Sequence, residues 1–196
     1  QACELVECKN FIFSSTCATY GNHSTGLLDE NTPQIPTTVY GSTKLASEMA
    51  ITSVGQTGKL NFCIFRYFNV AGSDKSLEIG ELHDPETHLI PAAIGAALSK
   101  NKEFYVNGND YPTPDGTCIR DYIHVTDLVD AHIIGLNKLL KSSGQLIFNL
   151  GSRVGYSVHE VIEEVEKVAN CKLNKVVRAR RIGDVTKLLS NSSKFT

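Results

Sequence analysis

Apolar and polar positions along the chain follow two alternating periods. Phe11-Ile12-Phe13 is a short apolar, β-favouring run closed by Ser14-Ser15-Thr16. Leu60–Tyr67 (LNFCIFRY) is β-rich and mostly apolar, as a strand buried on both faces would be. Leu146–Leu150 repeats that pattern, and Glu103–Val106 and Lys175–Val177 read as shorter strands. Between them lie helical stretches. Tyr40 to about Val54 has helix-forming composition and is expected to stop before Gly55 and Gly58. Leu89–Lys100 is Ala-rich and helical. Val125–Lys141 places Leu128, Val129, Ile133, Leu136, Leu139 and Leu140 at helical spacing, with Thr126 or Asp127 as the expected start. Ser157-Val158-His159-Glu160 has the S-x-x-E form of a capping box and opens a helix to about Ala169.

Strands alternating with helices predict an α/β fold with a largely parallel sheet. The long connections Gly21–Val39 and Asn69–Thr87 hold much of the Gly, Pro, Asn and Asp, and loops of that length in a compact domain usually carry function. The chain has 196 residues, enough for one domain or one domain and part of another. Its 41% hydrophobic and 20% charged residues argue against disorder and coiled coil, and its net charge of -2 against a nucleic-acid binder working through a basic surface. No apolar run is long enough for a membrane helix. Six cysteines form no C-x-x-C pair, which predicts reduced thiols in a cytoplasmic protein. Gln1–Asn10 has no secretory-signal pattern, and both ends read as cut points. No metal-binding spacing such as H-E-x-x-H occurs, so no metal is expected. No G-x-G-x-x-G follows a strand, so a dinucleotide held here would need its pyrophosphate loop from elsewhere.

The sharpest local feature is Tyr40-Gly41-Ser42-Thr43-Lys44. Tyr and Lys four apart at a helix start project from one face. A nearby ammonium favours the phenolate, so the pair could make a Tyr that exchanges protons with a hydroxyl or ketone. A surface Tyr and Lys is the plain alternative, since Y-x-x-x-K recurs by chance. The hydroxyls Ser14-Ser15-Thr16 stand where a strand ends, the place where open α/β sheets bind ligands; turn and cap hydroxyls are the alternative. Cys17 borders this position and would be reactive if exposed. Phe65-Arg66-Tyr67-Phe68-Asn69 closes another strand. Arg120 and Arg181 are candidate phosphate ligands, because guanidinium matches phosphate bidentately; either could equally be a surface ion-pair residue.

Taken together, FIFSSTCATYG (Phe11–Gly21), VYGSTK (Val39–Lys44), RYFNVAG (Arg66–Gly72), ETHLIP (Glu86–Pro91), Gly108–His132, FNLGS (Phe148–Ser152) and RARRIGD (Arg178–Asp184) resemble the extended short-chain dehydrogenase/reductase family, the NAD-dependent epimerases and dehydratases. The resemblance runs over nearly the whole chain. It is greatest to members that epimerise UDP-sugars at C4. It implies a Rossmann-like parallel sheet over residues 1–70 that carries the catalytic groups. Residues 71–196 would form a smaller C-terminal α/β region for the UDP-sugar, with segments returning to the first sheet. It further implies NAD as cofactor and interconversion of UDP-glucose and UDP-galactose by transient oxidation. Tyr40 would be the acid/base, Lys44 would lower its pKa and hold the nicotinamide ribose, and Thr16 would bond the sugar 4-hydroxyl. Phe68 would wall the cofactor, and Asn69 would touch the diphosphate. His88, Tyr105, Val106 and Asn107 would line the UDP site, Arg120 and Arg181 would clamp the diphosphate, and Asp184 would bind the ribose. The family's NAD loop would precede Phe11 and its closing segment would follow Lys194, so the chain is not expected to work alone. The full-length form is expected to be a homodimer. Leu188 stands where some members place a substrate-contacting Tyr. Another UDP-sugar 4-epimerase, on UDP-arabinose/UDP-xylose or a UDP-N-acetylhexosamine, and an inactive truncated product remain the alternatives. A dehydratase is disfavoured, because Cys17-Ala18 follows Thr16 where those enzymes place Asp-Glu.

Overall fold

Three parallel strands, side by side, organise one half of the molecule: β1 (Asn10–Thr16), β2 (Asn61–Tyr67) and β6 (Gln145–Leu150), in the order β1-β2-β6. The computed structural model describes residues 2–23, 26–99 and 103–195. Around these strands the chain also forms α1 (Ala2–Leu5), a single 3-10 turn at Cys17–Thr19, α2 (Val39–Gln56), β3 (Asn69–Ala71), α3 (Leu89–Leu98), β4 (Glu103–Asn107) and β5 (Ile119–His124). It continues through α4 (Val125–Lys141), β7 (Gly155–Ser157), α5 (Val158–Ala169), β8 (Asn174–Arg178) and β9 (Lys187–Leu188). The expected α/β organisation is present, and among the named strands only the β5–β7 pair runs antiparallel.

Strand β2 shows why helices cover both sides of this sheet. Successive side chains of a strand point to opposite faces. Cys63 and Phe65 face one way and share a core with Ala131 and Leu139 of α4 and with Phe148 and Leu150 of β6. Phe62 and Arg66 face the other way, toward Gly55 and Glu48 of α2. Gly55 was expected to end α2, yet the helix runs through it to Gln56. The reason is packing: a Cβ on Gly55 would lie 2.5 Å from the Phe62 ring, so only glycine lets helix and strand approach this closely.

The smaller α/β region pairs β4 with β8 in parallel. Here α3 and α5 bury Ala93, Ala96 and Ile162 against Phe104, Val106 and Leu173. The capping box of α5 forms as expected: Glu160 N donates to Ser157 Oγ at 3.1 Å, and Ser157 N donates to Glu160 Oε2 at 2.7 Å. In the last turns of α5, the buried Glu166 carboxylate accepts from Leu173 N and from Lys172 and Lys175 at 2.7–2.9 Å, which ties the helix to β8. These bonds hold the Glu166 carboxyl at about 2, below its ordinary value.

Two boundaries differ from expectation. α4 starts one residue earlier than Thr126, because the His124 side chain caps it by accepting from Thr126 N at 3.2 Å. α3 ends at Leu98, and Lys100, the expected last residue, lies outside the described residues.

Candidate active site

The C-terminal ends of β1, β2 and β6 line up in register. Ser15 pairs with Arg66, and Arg66 with Asn149, so three buried polar side chains form one row on the α2 side of the sheet. Burial of a guanidinium is unfavourable unless every donor finds a partner. Here Arg66 is fully engaged. Its Nη2 donates to Glu48 Oε2 at 2.7 Å and to Gln34 Oε1 at 3.0 Å, and its Nε contacts both Glu48 oxygens at 3.1 Å. Its Nη1 reaches the Tyr20 hydroxyl at 3.1 Å and the Glu30 carbonyl at 3.2 Å. Ser15 donates to Glu48, and Tyr20 donates to Asn149 Oδ1 at 2.6 Å. Asn149 in turn reaches back, its amide donating to the Leu28 carbonyl at 2.7 Å and its N–H to Glu30 Oε1 at 2.7 Å. This network fastens the loop ahead of α2 to the strand ends.

One residue past that row stands Thr16. Its hydroxyl accepts from Ala18 N at 3.1 Å, which caps the 3-10 turn, and it lies near enough to the Tyr40 phenol to favour the phenolate. The start of α2 is close enough for this because residue 41 is glycine: a Cβ there would lie 2.4 Å from the Ala18 carbonyl oxygen. Thr38 caps α2, accepting from Gly41 N at 3.1 Å. Tyr40 is just over half exposed, so its phenol can meet a ligand. Lys44 lies one turn on, with Nζ donating to the Ser14 carbonyl at 2.9 Å and standing 5.9 Å from the centre of the Tyr40 ring.

The expected lowering of the Tyr40 pKa is not found. Burial, with the Tyr67 phenol and the Cys17 thiol adding to it, raises the Tyr40 phenol above its ordinary value, and only the Thr16 hydroxyl pulls it down. Lys44 is committed to the Ser14 carbonyl instead. The condition for a reactive Cys17, exposure, is not met. The residue is buried, and burial pushes its thiol up to about 12, so it is an inert core group and not a reactive one.

The anion-binding candidates gather nearby. Arg120 Nη2 reaches Asp184 Oδ1 at 3.5 Å, and the Arg120 charge also acts on the Cys17 thiol beside Thr16. With its amide oxygen turned toward Arg181, Asn107 accepts from Arg181 Nε at 3.1 Å and Nη2 at 3.2 Å. Thr37 donates to the Gly183 carbonyl at 3.4 Å, which holds the Arg181–Asp184 turn against the entry to α2. Phe68 and Leu188 are buried in one cluster with Cys17, Tyr20, Leu28 and Val185, so three distant segments close on the turn after β1. Asn69 is exposed at the start of β3.

The remaining candidates divide along β4. Tyr105 points outward, its ring under the Arg178 guanidinium at 3.1 Å and its hydroxyl donating to Glu103 at 2.6 Å. Val106 points inward and is 1% exposed, so its side chain belongs to the core and only its main chain could line a ligand. His88 precedes the first turn of α3 in an exposed loop, where Glu81 and Glu86 engage it.

Sequence reasoning named Arg66 only as part of a strand end, and missed Glu48, Gln34, Tyr20 and Asn149. A signal for Glu48 was present: Tyr40, Lys44 and Glu48 recur every four residues on one face of α2.

Comparison with known proteins follows this geometry. The family model described as NAD dependent epimerase/dehydratase family matches residues 1–151. The UDP-glucose 4-epimerase of Rhizobium meliloti (strain 1021) is 47% identical over 184 residues, covering 94% of this chain and 56% of the relative. A crystal structure of the Brucella ovis UDP-glucose 4-epimerase in complex with NAD superposes with a TM-score of 0.92 at 43% identity, over 98% of this chain and 59% of that one. The Bifidobacterium longum UDP-glucose 4-epimerase in complex with NAD+ and UDP gives 0.92 at 35% identity, over 98% and 58%. The chain thus spans little more than half the length of the relatives it matches.

Proposed function

The chain belongs to the NAD-dependent epimerase/dehydratase family, and from that premise we propose that it carries the proton-transfer and nucleotide-sugar-binding part of a UDP-sugar 4-epimerase that interconverts UDP-glucose and UDP-galactose. The observation that carries the reading is the Thr16–Tyr40–Lys44 arrangement at the end of β1, with Arg120, Arg181, Asn107 and Asp184 gathered beside it.

Thr16 and Tyr40 place two hydroxyls side by side, one on a strand end and one on a helix start. A sugar 4-hydroxyl bonded to both would have its proton within reach of the Tyr40 oxygen. Lys44, fixed by the Ser14 carbonyl, presents an ammonium that suits a ribose hydroxyl. These residues fit the nicotinamide end of NAD, with Phe68 behind them as buried wall. When bound, the cofactor would supply the two-electron acceptor for C4 and a positive charge that favours the phenolate. Tyr40 would take the O4 proton as C4 is oxidised and return it after the keto sugar has turned over in the site. Arg120 and Arg181 would hold the diphosphate throughout, with Asn69, Asn107, Asp184, Tyr105 and the Val106 main chain along the nucleotide. Firm grip on the nucleotide leaves the sugar free to rotate, which the inversion requires.

The reading further places the protein in the cytoplasm, in keeping with six unpaired cysteines. It also makes the longer form a homodimer. Among the described residues no helix is long and apolar enough to cross a membrane.

The test is an assay of UDP-galactose conversion with NAD+ supplied, on the chain alone and on the chain joined behind the glycine-rich segment of a relative. Turnover that falls about a hundredfold or more in Tyr40→Phe supports the reading. Turnover that survives Tyr40→Phe, or none in either form, overturns it.

A further inference from the structure

A second group of ligating side chains lies on the exposed segment before α3. One donor atom each from His83, Glu86 and His88 lies within 4.8 Å of the other two. His88 Nδ1 stands 3.2 Å and His83 Nδ1 3.6 Å from the same carboxylate oxygen, Glu86 Oε1. A tetrahedral zinc ion with nitrogen and oxygen ligands at about 2.0–2.2 Å separates its ligands by about 3.3–3.6 Å. The His83 separation falls at that spacing and the His88 separation is 0.1 Å short of it. The histidine nitrogens need only draw together around the shared oxygen. Glu81 Oε1 already lies 2.6 Å from His88 Nδ1 and is the natural fourth ligand on a small retreat, or a water takes that position.

Charge argues the same way. Neutral imidazoles leave Glu81 and Glu86 as two anions facing each other across His88, with Asp84 on the same segment. One imidazole N–H cannot serve two carboxylates well, whereas a dication satisfies both. The Glu86 carboxylate is aimed at the cluster by the His88 backbone N–H, which donates to its Oε1 at 2.7 Å. Mixed imidazole and carboxylate donors suit zinc and its neighbours in the transition series and not magnesium, which prefers oxygen alone.

We propose that His83, Glu86 and His88, with Glu81 or water completing the set, form a binding site for a divalent transition-metal ion, for which Zn2+ is the probe. Bound metal would clamp the 81–88 segment to the first turn of α3. The inference needs neither cofactor nor sugar, but it shares His88 with the UDP site that the family resemblance implies, so the titration is read in the absence of UDP.

The experiment is calorimetric titration of the untagged, metal-stripped chain with Zn2+, after its accessible cysteines, Cys3, Cys8 and Cys171, are alkylated to remove competing thiolates. One ion per chain at micromolar affinity is expected, undiminished by millimolar Mg2+. Affinity should fall at least about tenfold in His83→Ala/His88→Ala and in Glu86→Gln, with circular dichroism unchanged since all three residues are on the surface. No binding to the unaltered chain, or binding that both variants retain, overturns the proposal.

Discussion

Arg66 Nη2 and Glu48 Oε2 lie 2.7 Å apart, with both side chains about 95% withdrawn from water. The pair joins β2 to α2 at the depth where the Tyr40–Lys44–Glu48 face meets the sheet. Removing one charge would leave the other buried without its partner, which typically costs about 3–5 kcal/mol. Glu48→Gln should therefore lower the denaturation midpoint severely. Glu48→Met combined with Arg66→Met should recover a large share of the loss, because the apolar pair leaves no orphan charge. Urea unfolding of the parent and the two variants checks this. A single variant as stable as the parent would mean that water reaches Arg66.

Thr16 caps the turn at Cys17–Thr19, and its hydroxyl stands beside the Tyr40 phenol. Thr16→Ser keeps the hydroxyl for both. Thr16→Val keeps the shape and loses both, at about 1 kcal/mol of stability for the cap. If the epimerase reading holds, Thr16→Val should also lower turnover by about tenfold or more with little change in the affinity for UDP, while Thr16→Ser stays near the parent. Equal turnover in the two variants would reduce Thr16 to a cap.

The sheet and its main helices were legible because their patterns are local. Leu60–Tyr67 is a continuous apolar run, and Ser157–Glu160 carries its cap in four residues. What stayed hidden depends on partners far along the chain. β5 was not foreseen, since Arg120 and Asp121 interrupt its apolar pattern. Its charges are tolerated because Asp121, fully buried, accepts from Ser152 N, Arg153 N and Ser190 N at 2.7–3.1 Å, all brought in from the C-terminal third. Likewise nothing near Arg66 announces Glu48, and nothing near Tyr40 announces that burial, and not Lys44, governs its phenol. The site residues were named through the family resemblance and not through local pattern, and the Arg66–Glu48 network that braces the strand ends was named by neither.

Acid stability should hinge on Glu166. Its ordinary value is 4.5 and its folded value about 2, so the folded form holds the charged state more strongly. The resulting stabilisation is complete above about pH 5 and is lost as pH falls toward 2, amounting to no more than about 3 kcal/mol. Unfolding free energies measured from neutral pH down to about pH 2.5 should decline across that window. Glu166→Gln should flatten the decline and be less stable at neutral pH. A parent and variant with parallel pH profiles would place the acid sensitivity elsewhere.

Arg120 is the sharpest test of the nucleotide site, because it can be read by binding alone. Its side chain is 12% exposed and, among the described residues, meets only one side-chain carboxylate, Asp184, at a long 3.5 Å, so its fork is free to turn toward a phosphate. A charge-assisted bidentate contact to a diphosphate would be worth about 2–3 kcal/mol. Arg120→Leu should then weaken UDP by roughly 30- to 150-fold in a calorimetric titration. Arg120→Lys should recover only part of this, since an ammonium keeps the charge and loses the fork. Leucine would also release Asp184 from its ion pair and leave an extra anion beside the ligand, which pushes the loss toward the upper end. If UDP binds the leucine variant as tightly as the parent, Arg120 is a surface partner of Asp184 and the diphosphate lies elsewhere.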